Sequence, residues 1–233
     1  TLFAGAIVFW REWWEMIRHP IRNKTLLLLF IASLPALAAK LLLGNQLDYY
    51  ETHNVLLGAC FLFTGLLLLL TQWLARRNKR ANSETDKVGV PQALAMGVMQ
   101  AVGMLPGISR SGSTIFGGVA ARLDREAAAK FSFMMSAPAI LAGMLSEGKD
   151  VLLSGAGLEN INLPAVLLGM LVAGVSGYFA IRFMLKLISK VSLGWFALYV
   201  IALGILVIVL QSTGMMPDPQ PDVIARAARM MMG

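Results

Sequence analysis

Long apolar runs dominate this sequence and set the class of fold that it can adopt. Runs over residues 25–43, 55–74, 163–183 and 193–211 each approach the length of about 20 apolar residues that a helix needs to cross a bilayer. Only 14% of the 233 residues are charged, whereas soluble domains carry about 25%. The mean hydropathy is +0.68. These features predict an all-α polytopic membrane protein.

The beginning of the chain is apolar but too short to span a membrane. Residues 1–10 form this run, without an initiator Met or a preceding basic region of the kind found in signal peptides. We therefore expect a partial helix here, belonging to a transmembrane helix that begins upstream. Residues 11–24 are polar, and we expect Trp10, Trp13 and Trp14 beside them to lie in an interfacial aromatic belt.

A polar stretch interrupts the apolar pattern in the middle of the chain. Residues 106–114 read PGISRSGST and lie between two apolar arms too short to span a bilayer comfortably. Basic clusters flank both outer ends of the arms, which predicts a re-entrant helical hairpin over 90–121 that enters and leaves on one side. If the arms instead crossed the membrane once, Lys186 and Lys190 would lie outside, against the positive-inside rule.

The composition of this stretch indicates an anion-binding loop. Glycines let backbone N–H groups approach an anion closely, and a helix beginning near Ser113 would direct its positive end toward it. Arg110 adds a planar guanidinium group, whose N–H donors suit phosphate oxygens. The hydroxyls alone could satisfy backbone groups within the hairpin, and a helix cap suffices to explain Ser113. Arg110 is different, because it is costly at membrane depth without an anionic partner.

Three other features have structural explanations. Cys60 is the only cysteine, which excludes a disulfide within the chain, and we expect it to be a small packing residue. The net charge of +7 comes from short loops that orient a membrane protein and meet anionic lipids, so nucleic acid is not expected. Small residues recur every fourth position in 163–183, which predicts a close-packing face for another helix. They are Ala165, Gly169, Ala173 and Gly177.

A family resemblance rests on Gln100, the PGISRSGST stretch, the run 131–133 (Phe-Ser-Phe) and Pro138. Together they resemble the signature of the undecaprenyl-diphosphate phosphatases, the bacitracin-resistance family. The resemblance implies a multi-pass enzyme of the bacterial inner membrane that removes the terminal phosphate of a C55 isoprenoid diphosphate. This reaction recycles the lipid carrier for peptidoglycan synthesis and confers bacitracin resistance. The residues implied as catalytic are Ser109, Arg110, Ser111 and Thr114, and those implied as substrate-binding are Gly107, Gly112 and Gln100.

The resemblance also implies an inverted-repeat architecture with about five full transmembrane helices, the partial N-terminal helix and the re-entrant hairpin. We expect the remainder of a first repeat in 1–74, a cytoplasmic loop in 75–89, a second repeat in 90–212 and a polar tail in 213–233. The first repeat of the family contributes paired glutamates, a Ser-Ser-Thr-Gly segment and a histidine, and none of these appears around Thr1. Most of that region, with the ligands of a divalent cation (Mg²⁺ or Ca²⁺), is therefore expected upstream of Thr1, and no metal ligand is assigned here. His19 and His53 are expected to be loop residues.

The same features can be interpreted as two other classes of function. A transporter or lipid flippase could use the loop as an anion site, and prolines at 35 and 138 within apolar helices suit that alternative. A purely structural membrane subunit does not account for Arg110. The expected partners are a polyprenyl diphosphate and the bilayer, with a homodimer as a further expectation.

Overall fold

The computed structural model describes residues 2–18, 24–52, 57–81, 83–153, 163–190, 192–213 and 215. Within these ranges the chain is helical apart from connecting segments and one isolated β-bridge, between Thr85 and Leu123. The helices are α1 (Leu2–Val8), α2 (Trp10–Arg18), α3 (Lys24–Thr52), α4 (Leu57–Arg80), α5 (Val90–Val102), α6 (Arg110–Ala120), α7 (Arg125–Leu153), α8 (Leu163–Lys190) and α9 (Leu193–Ser212).

Five of the helices in the described ranges (α3, α4, α7, α8 and α9) are long and apolar enough to cross a membrane. This confirms the all-α polytopic class and the number of full spans. Prolines at 35 and 138 lie inside α3 and α7. The polar tail expected at 213–233 falls almost wholly outside the described residues, as do His19 and His53.

Two predicted polar segments contain more helix than expected. Helix α4 continues to Arg80, so the first six residues of the predicted 75–89 loop are helical. The basic side chains of these residues therefore lie on the last turns of α4. The polar segment 11–24 contains most of α2, in which Trp10 stacks on Trp14 with ring centroids 5.5 Å apart. Apolar and charged residues alternate there with a helical period, so one face can pack while the other meets solvent.

Helices α5 and α6 form an antiparallel hairpin, as predicted for 90–121. At its open end the Gln92 side chain donates to the Ala121 carbonyl at 3.1 Å. Farther along, a Cβ on Gly117 would lie 2.7 Å from the Ala95 carbonyl oxygen, so the arms touch through their backbones. Both ends of the hairpin therefore lie at one end of the helix bundle.

The hairpin reaches far along α4. Near its open end Asn78 donates to the Val119 carbonyl at 2.9 Å, while at its tip Thr64 donates to the Gly107 carbonyl at 3.2 Å. At about 1.5 Å per residue, Thr64 and Asn78 lie about 21 Å apart along α4. Since the hydrocarbon core of a bilayer is about 30 Å thick, a tip this far from the basic end of α4 is deep enough to lie inside a membrane layer.

The basic segments gather at the open end of the hairpin. The Arg125 guanidinium donates to the Ile188 carbonyl at 2.6 Å, which brings the end of α8 to the start of α7. Lys130 forms an ion pair with Glu12 of α2 at the same end. Burial by itself would raise the pKa of the Glu12 carboxyl, but the hydrogen bond and charge of Lys130 lower it below its ordinary value. This ion pair therefore holds at neutral pH and is lost as pH falls through the lowered pKa.

Glycines set the closest helix contacts, although not where the small-residue stripe predicted one. A Cβ on Gly58 would lie 2.5 Å from Ile208 Cγ1, and one on Gly65 would lie 2.4 Å from Ile201 Cγ1, so α4 and α9 pack closely. On α8, by contrast, Ala173 is exposed and a Cβ on Gly169 would meet nothing within 4 Å. None of the described helices packs against these two residues, because α8 faces outward there, so the predicted close-packing face is not used at these positions within the described part of the chain.

Candidate active site

The tip of the hairpin depends on Gly107. Its φ of +85° lies in the left-handed region that favours glycine. A Cβ there would also lie 2.9 Å from the Cβ of Cys60 and 3.0 Å from the Leu57 carbonyl oxygen. Cys60 is buried against this turn, as expected of a packing residue. The turn can therefore lie directly on the surface of α4.

Helix α6 begins at Arg110 and not near Ser113 as expected. Ser109 is the N-cap, and its hydroxyl accepts from the Gly112 N–H at 3.1 Å. The Ser109 N–H in turn donates to Thr64 at 3.1 Å. Several serines in the stretch could cap a helix, and the contact with α4 favours the first of them. Ser113 lies fully buried within α6, and its hydroxyl has no hydrogen-bond partner among the described residues.

The earlier helix start places Arg110 and Ser111 in the first turn of α6. Their backbone N–H groups have no acceptor in the described part of the chain, as is usual for the first turn of a helix. The Gly112 N–H is already bonded to Ser109. The positive end of the α6 dipole adds to these two free donors. This end of α6 is therefore suited to an anion.

A cavity of about 270 Å³ opens beside the first turns of α6. Arg110 and Ser111 line it, and the Arg110 side chain has no hydrogen bond or ion pair to any described residue. Residues of α1, α2, α7 and α8, which are distant from α6 in the sequence, also line the cavity. Its other polar lining residues are Gln100, Thr114, Ser132 and Ser136, and its larger apolar ones are Leu2, Phe9, Trp13, Phe133, Ile140 and Ile181.

The cavity contains four of the seven site residues predicted from the sequence, namely Gln100, Arg110, Ser111 and Thr114. The other three support the loop without lining the cavity. Ser109 caps α6 and Gly107 forms the turn, as described above. A Cβ on Gly112 would lie 3.2 Å from the Cβ and Oγ of Ser109, so Gly112 leaves room for the side chain that caps α6.

Thr114 and Ser132 form a buried pair of hydroxyls between α6 and α7. Their oxygens lie 2.6 Å apart, and both residues are at least 94% buried. Ser132 was not among the site residues predicted from the sequence. Its place in the run 131–133 was a signal, and so was the spacing of Ser132 and Ser136, which puts two hydroxyls on one face of an apolar helix. Ser136 donates to the Phe133 carbonyl at 2.6 Å.

The described cavity does not by itself fit a hard divalent cation. No carboxylate lines it, and no group of three or more His, Cys, Asp or Glu residues with metal-binding geometry occurs among the described residues. Mg²⁺ and Ca²⁺ favour sites that include carboxylate oxygens. What this chain supplies in the cavity is a set of donors for an anion.

Comparison with known proteins identifies the family. The family model of the bacitracin resistance protein BacA matches residues 1–206. The chain belongs to this family. Its relatives in the BacA family include an undecaprenyl-diphosphatase of Carboxydothermus hydrogenoformans, 39% identical over 92% of this chain and 80% of that protein. Undecaprenyl-diphosphatase 3 of Bacillus cereus is 35% identical over 91% of this chain and 80% of its own length.

A shorter relative shows the same likeness. The undecaprenyl-diphosphatase of Methanothermobacter thermautotrophicus is 39% identical over 78% of this chain and 97% of its own length. Membership of the BacA family confirms the resemblance found from Gln100, the PGISRSGST stretch and the run 131–133. The roles assigned to individual site residues stay predictions.

Proposed function

We propose that this protein is a phosphatase that hydrolyses undecaprenyl diphosphate to undecaprenyl phosphate and inorganic phosphate. The observation that carries the proposal is Arg110, which lines a cavity beside two unpaired N–H groups at the start of α6 and has no protein partner among the described residues. A cation in this position calls for an anionic ligand. The relatives in the BacA family are named undecaprenyl-diphosphatases, and a lipid diphosphate meets that requirement.

In this proposal the first turn of α6 binds the terminal phosphate. The Arg110 guanidinium and the N–H groups of Arg110 and Ser111 donate to its oxygens. They also stabilise the charge that these oxygens carry in the transition state, which is the main contribution a protein makes to phosphoryl transfer. No carboxylate or histidine lines the cavity among the described residues. A serine nucleophile would need such a base, so we assign these residues to binding and charge stabilisation.

The cellular role follows from the product. Release of the terminal phosphate would regenerate the monophosphate carrier used in peptidoglycan synthesis and would confer resistance to bacitracin. The apolar walls of the cavity and the five spans place the enzyme in a membrane, and we assign it to the bacterial plasma membrane. The chemistry needs only water as a second reactant, because one P–O–P bond is replaced by two phosphates.

The direct test is phosphate release by the purified protein in detergent. We expect one inorganic phosphate per undecaprenyl diphosphate, and no release from undecaprenyl monophosphate, because only the diphosphate offers an anhydride bond and a phosphate leaving group. The competing transporter function predicts movement of the intact lipid diphosphate across vesicles without hydrolysis. Vesicle flux with no phosphate release would replace the phosphatase proposal by that alternative.

We also propose that activity depends on a divalent cation, Mg²⁺ or Ca²⁺, on the family resemblance alone. When bound, such a cation would supply positive charge to the phosphate oxygens. Excess EDTA is expected to abolish phosphate release, and added Mg²⁺ or Ca²⁺ to restore it. The control is a thermal unfolding scan with and without EDTA, which separates loss of the cation from loss of the fold. A full rate of phosphate release in excess chelator would contradict the dependence.

A further inference from the structure

The Thr114–Ser132 pair has more potential hydrogen bonds than it has protons. The Thr114 hydroxyl lies 3.0 Å from the Arg110 carbonyl oxygen, 3.1 Å from the Ser111 carbonyl oxygen and 2.6 Å from the Ser132 hydroxyl oxygen. It carries one proton for these three acceptors. Ser132 also carries one proton, and Thr114 is its only hydrogen-bond partner among the described residues. Both side chains line the cavity beside Arg110.

Two arrangements of the protons are compatible with this geometry. In the first, Thr114 donates to a carbonyl of its own helix and accepts the Ser132 proton, so the pair offers the cavity no donor. In the second, Thr114 donates to Ser132, and the Ser132 proton is free to enter the cavity. An anion beside Ser132 favours the second arrangement, because a hydrogen bond to a charged oxygen is about twice as strong as a neutral one.

We propose that Ser132 binds the phosphate directly and that Thr114 is a positioning residue that acts through it. This inference rests on the proposed function and changes the role predicted for Thr114 from the sequence. When the phosphate enters, the Thr114 O–H rotates away from the α6 carbonyls and donates to the Ser132 oxygen, and the Ser132 O–H rotates to donate to a phosphate oxygen. No covalent bond forms or breaks in this step. Helix α7 thereby adds a donor opposite those of α6.

The test compares Ser132→Ala with Thr114→Val by their affinity for phosphate, and Ser132→Thr serves as the rescue variant. Ser132→Ala removes the donor, so we expect the inhibition constant of inorganic phosphate and the KM for the lipid diphosphate to rise about 10- to 100-fold. Thr114→Val leaves the Ser132 proton available for the anion, so its effect on both constants is expected to be smaller, about threefold or less. Ser132→Thr keeps the hydroxyl and is expected to recover most of the affinity.

The control for these variants is Ser33→Ala. The Ser33 hydroxyl bonds the Leu29 carbonyl of its own helix at 2.8 Å and does not line the cavity. Its removal should change neither constant. All variants should unfold within a few degrees of the natural protein, which excludes a general loss of structure.

The reverse order of effects would overturn the inference. If Thr114→Val weakens phosphate inhibition strongly while Ser132→Ala does not, Thr114 itself binds the anion. Equal affinities in Ser132→Ala and the natural protein would also overturn it. The natural protein serves as the reference for the proposed function. If it releases no phosphate from a lipid diphosphate, that function fails, and the order of the variants is then measured by direct equilibrium binding of inorganic phosphate, which needs no turnover.

Discussion

Replacement of Arg110 by alanine is expected to lower the rate of phosphate release about 1,000-fold or more. Removal of one preorganised donor from a charge-stabilising site typically costs about 100- to 1,000-fold in rate, and an arginine on a transferring phosphoryl group contributes about 1,000-fold or more. Arg110 is also the only cationic side chain among the described residues that line the cavity. The measurement is kcat/KM for undecaprenyl diphosphate in detergent, with the thermal unfolding temperature determined in parallel.

Two further variants sharpen this result. Arg110→Lys keeps the charge but loses the planar guanidinium group with its paired donors, so we expect an intermediate loss of about 10- to 100-fold in kcat/KM. Arg182→Ala is the matched control, because Arg182 is exposed on α8, donates to the Tyr178 hydroxyl at 2.7 Å and does not line the cavity. Its rate should stay within about twofold of the natural rate. Substantial activity in Arg110→Ala, or an equal loss in both alanine variants, would contradict the assignment of the site.

The fold was predictable where one physical requirement dominates a long segment. Apolar runs of membrane length predicted four of the five spans, the family resemblance implied about five, and the position of the basic clusters predicted the hairpin over 90–121. The bounds were less predictable, because Arg76 and its neighbours continue α4 beyond the apolar run. The short helix α2 was missed for a related reason. Its polar composition suited a loop, and its stability in the fold comes from packing, with Met16 only 1% exposed.

The site was predictable in its loop and not in its surroundings. Arg110 and Ser111 could be assigned because PGISRSGST is a local pattern with a direct chemical meaning. The start of α6 was misplaced, because the choice of Ser109 over Ser113 as the cap depends on its contact with Thr64, a residue 45 positions earlier. Ser132 was missed as a site residue because its proximity to Thr114 depends on how α7 packs against α6. Such contacts between distant segments carry no periodic signal in the sequence.

Replacement of Gly107 by alanine is expected to lower both stability and activity, although Gly107 does not line the cavity. A residue with a Cβ in the left-handed region costs about 1–3 kcal/mol. The added carbon would also lie 2.9 Å from Cys60 Cβ and 3.0 Å from a main-chain oxygen of α4, and main chain cannot move aside as a flexible side chain does. The tip must therefore move away from α4, and Ser109 and Arg110 move with it.

The expected loss of activity follows from this displacement. A shift of about 1 Å in a catalytic group can lower a rate about 100-fold, so we expect Gly107→Ala to lose at least tenfold in kcat/KM and to unfold several degrees lower. Gly143→Ala is the matched control, since a Cβ on Gly143 meets nothing within 4 Å and α7 is helical there. It should be neutral or stabilising by about 0.5–1 kcal/mol.

A third variant separates the two causes of the Gly107 effect. Asparagine tolerates the left-handed region better than alanine does, but its Cβ meets the same atoms of Cys60 and Leu57. If conformation dominates, Gly107→Asn recovers much of the stability lost in Gly107→Ala. If crowding dominates, the two variants are equally impaired, because the tip is then held away from α4 in both. A Gly107→Ala protein with natural stability and rate would show that the hairpin tip does not rest on α4 as described.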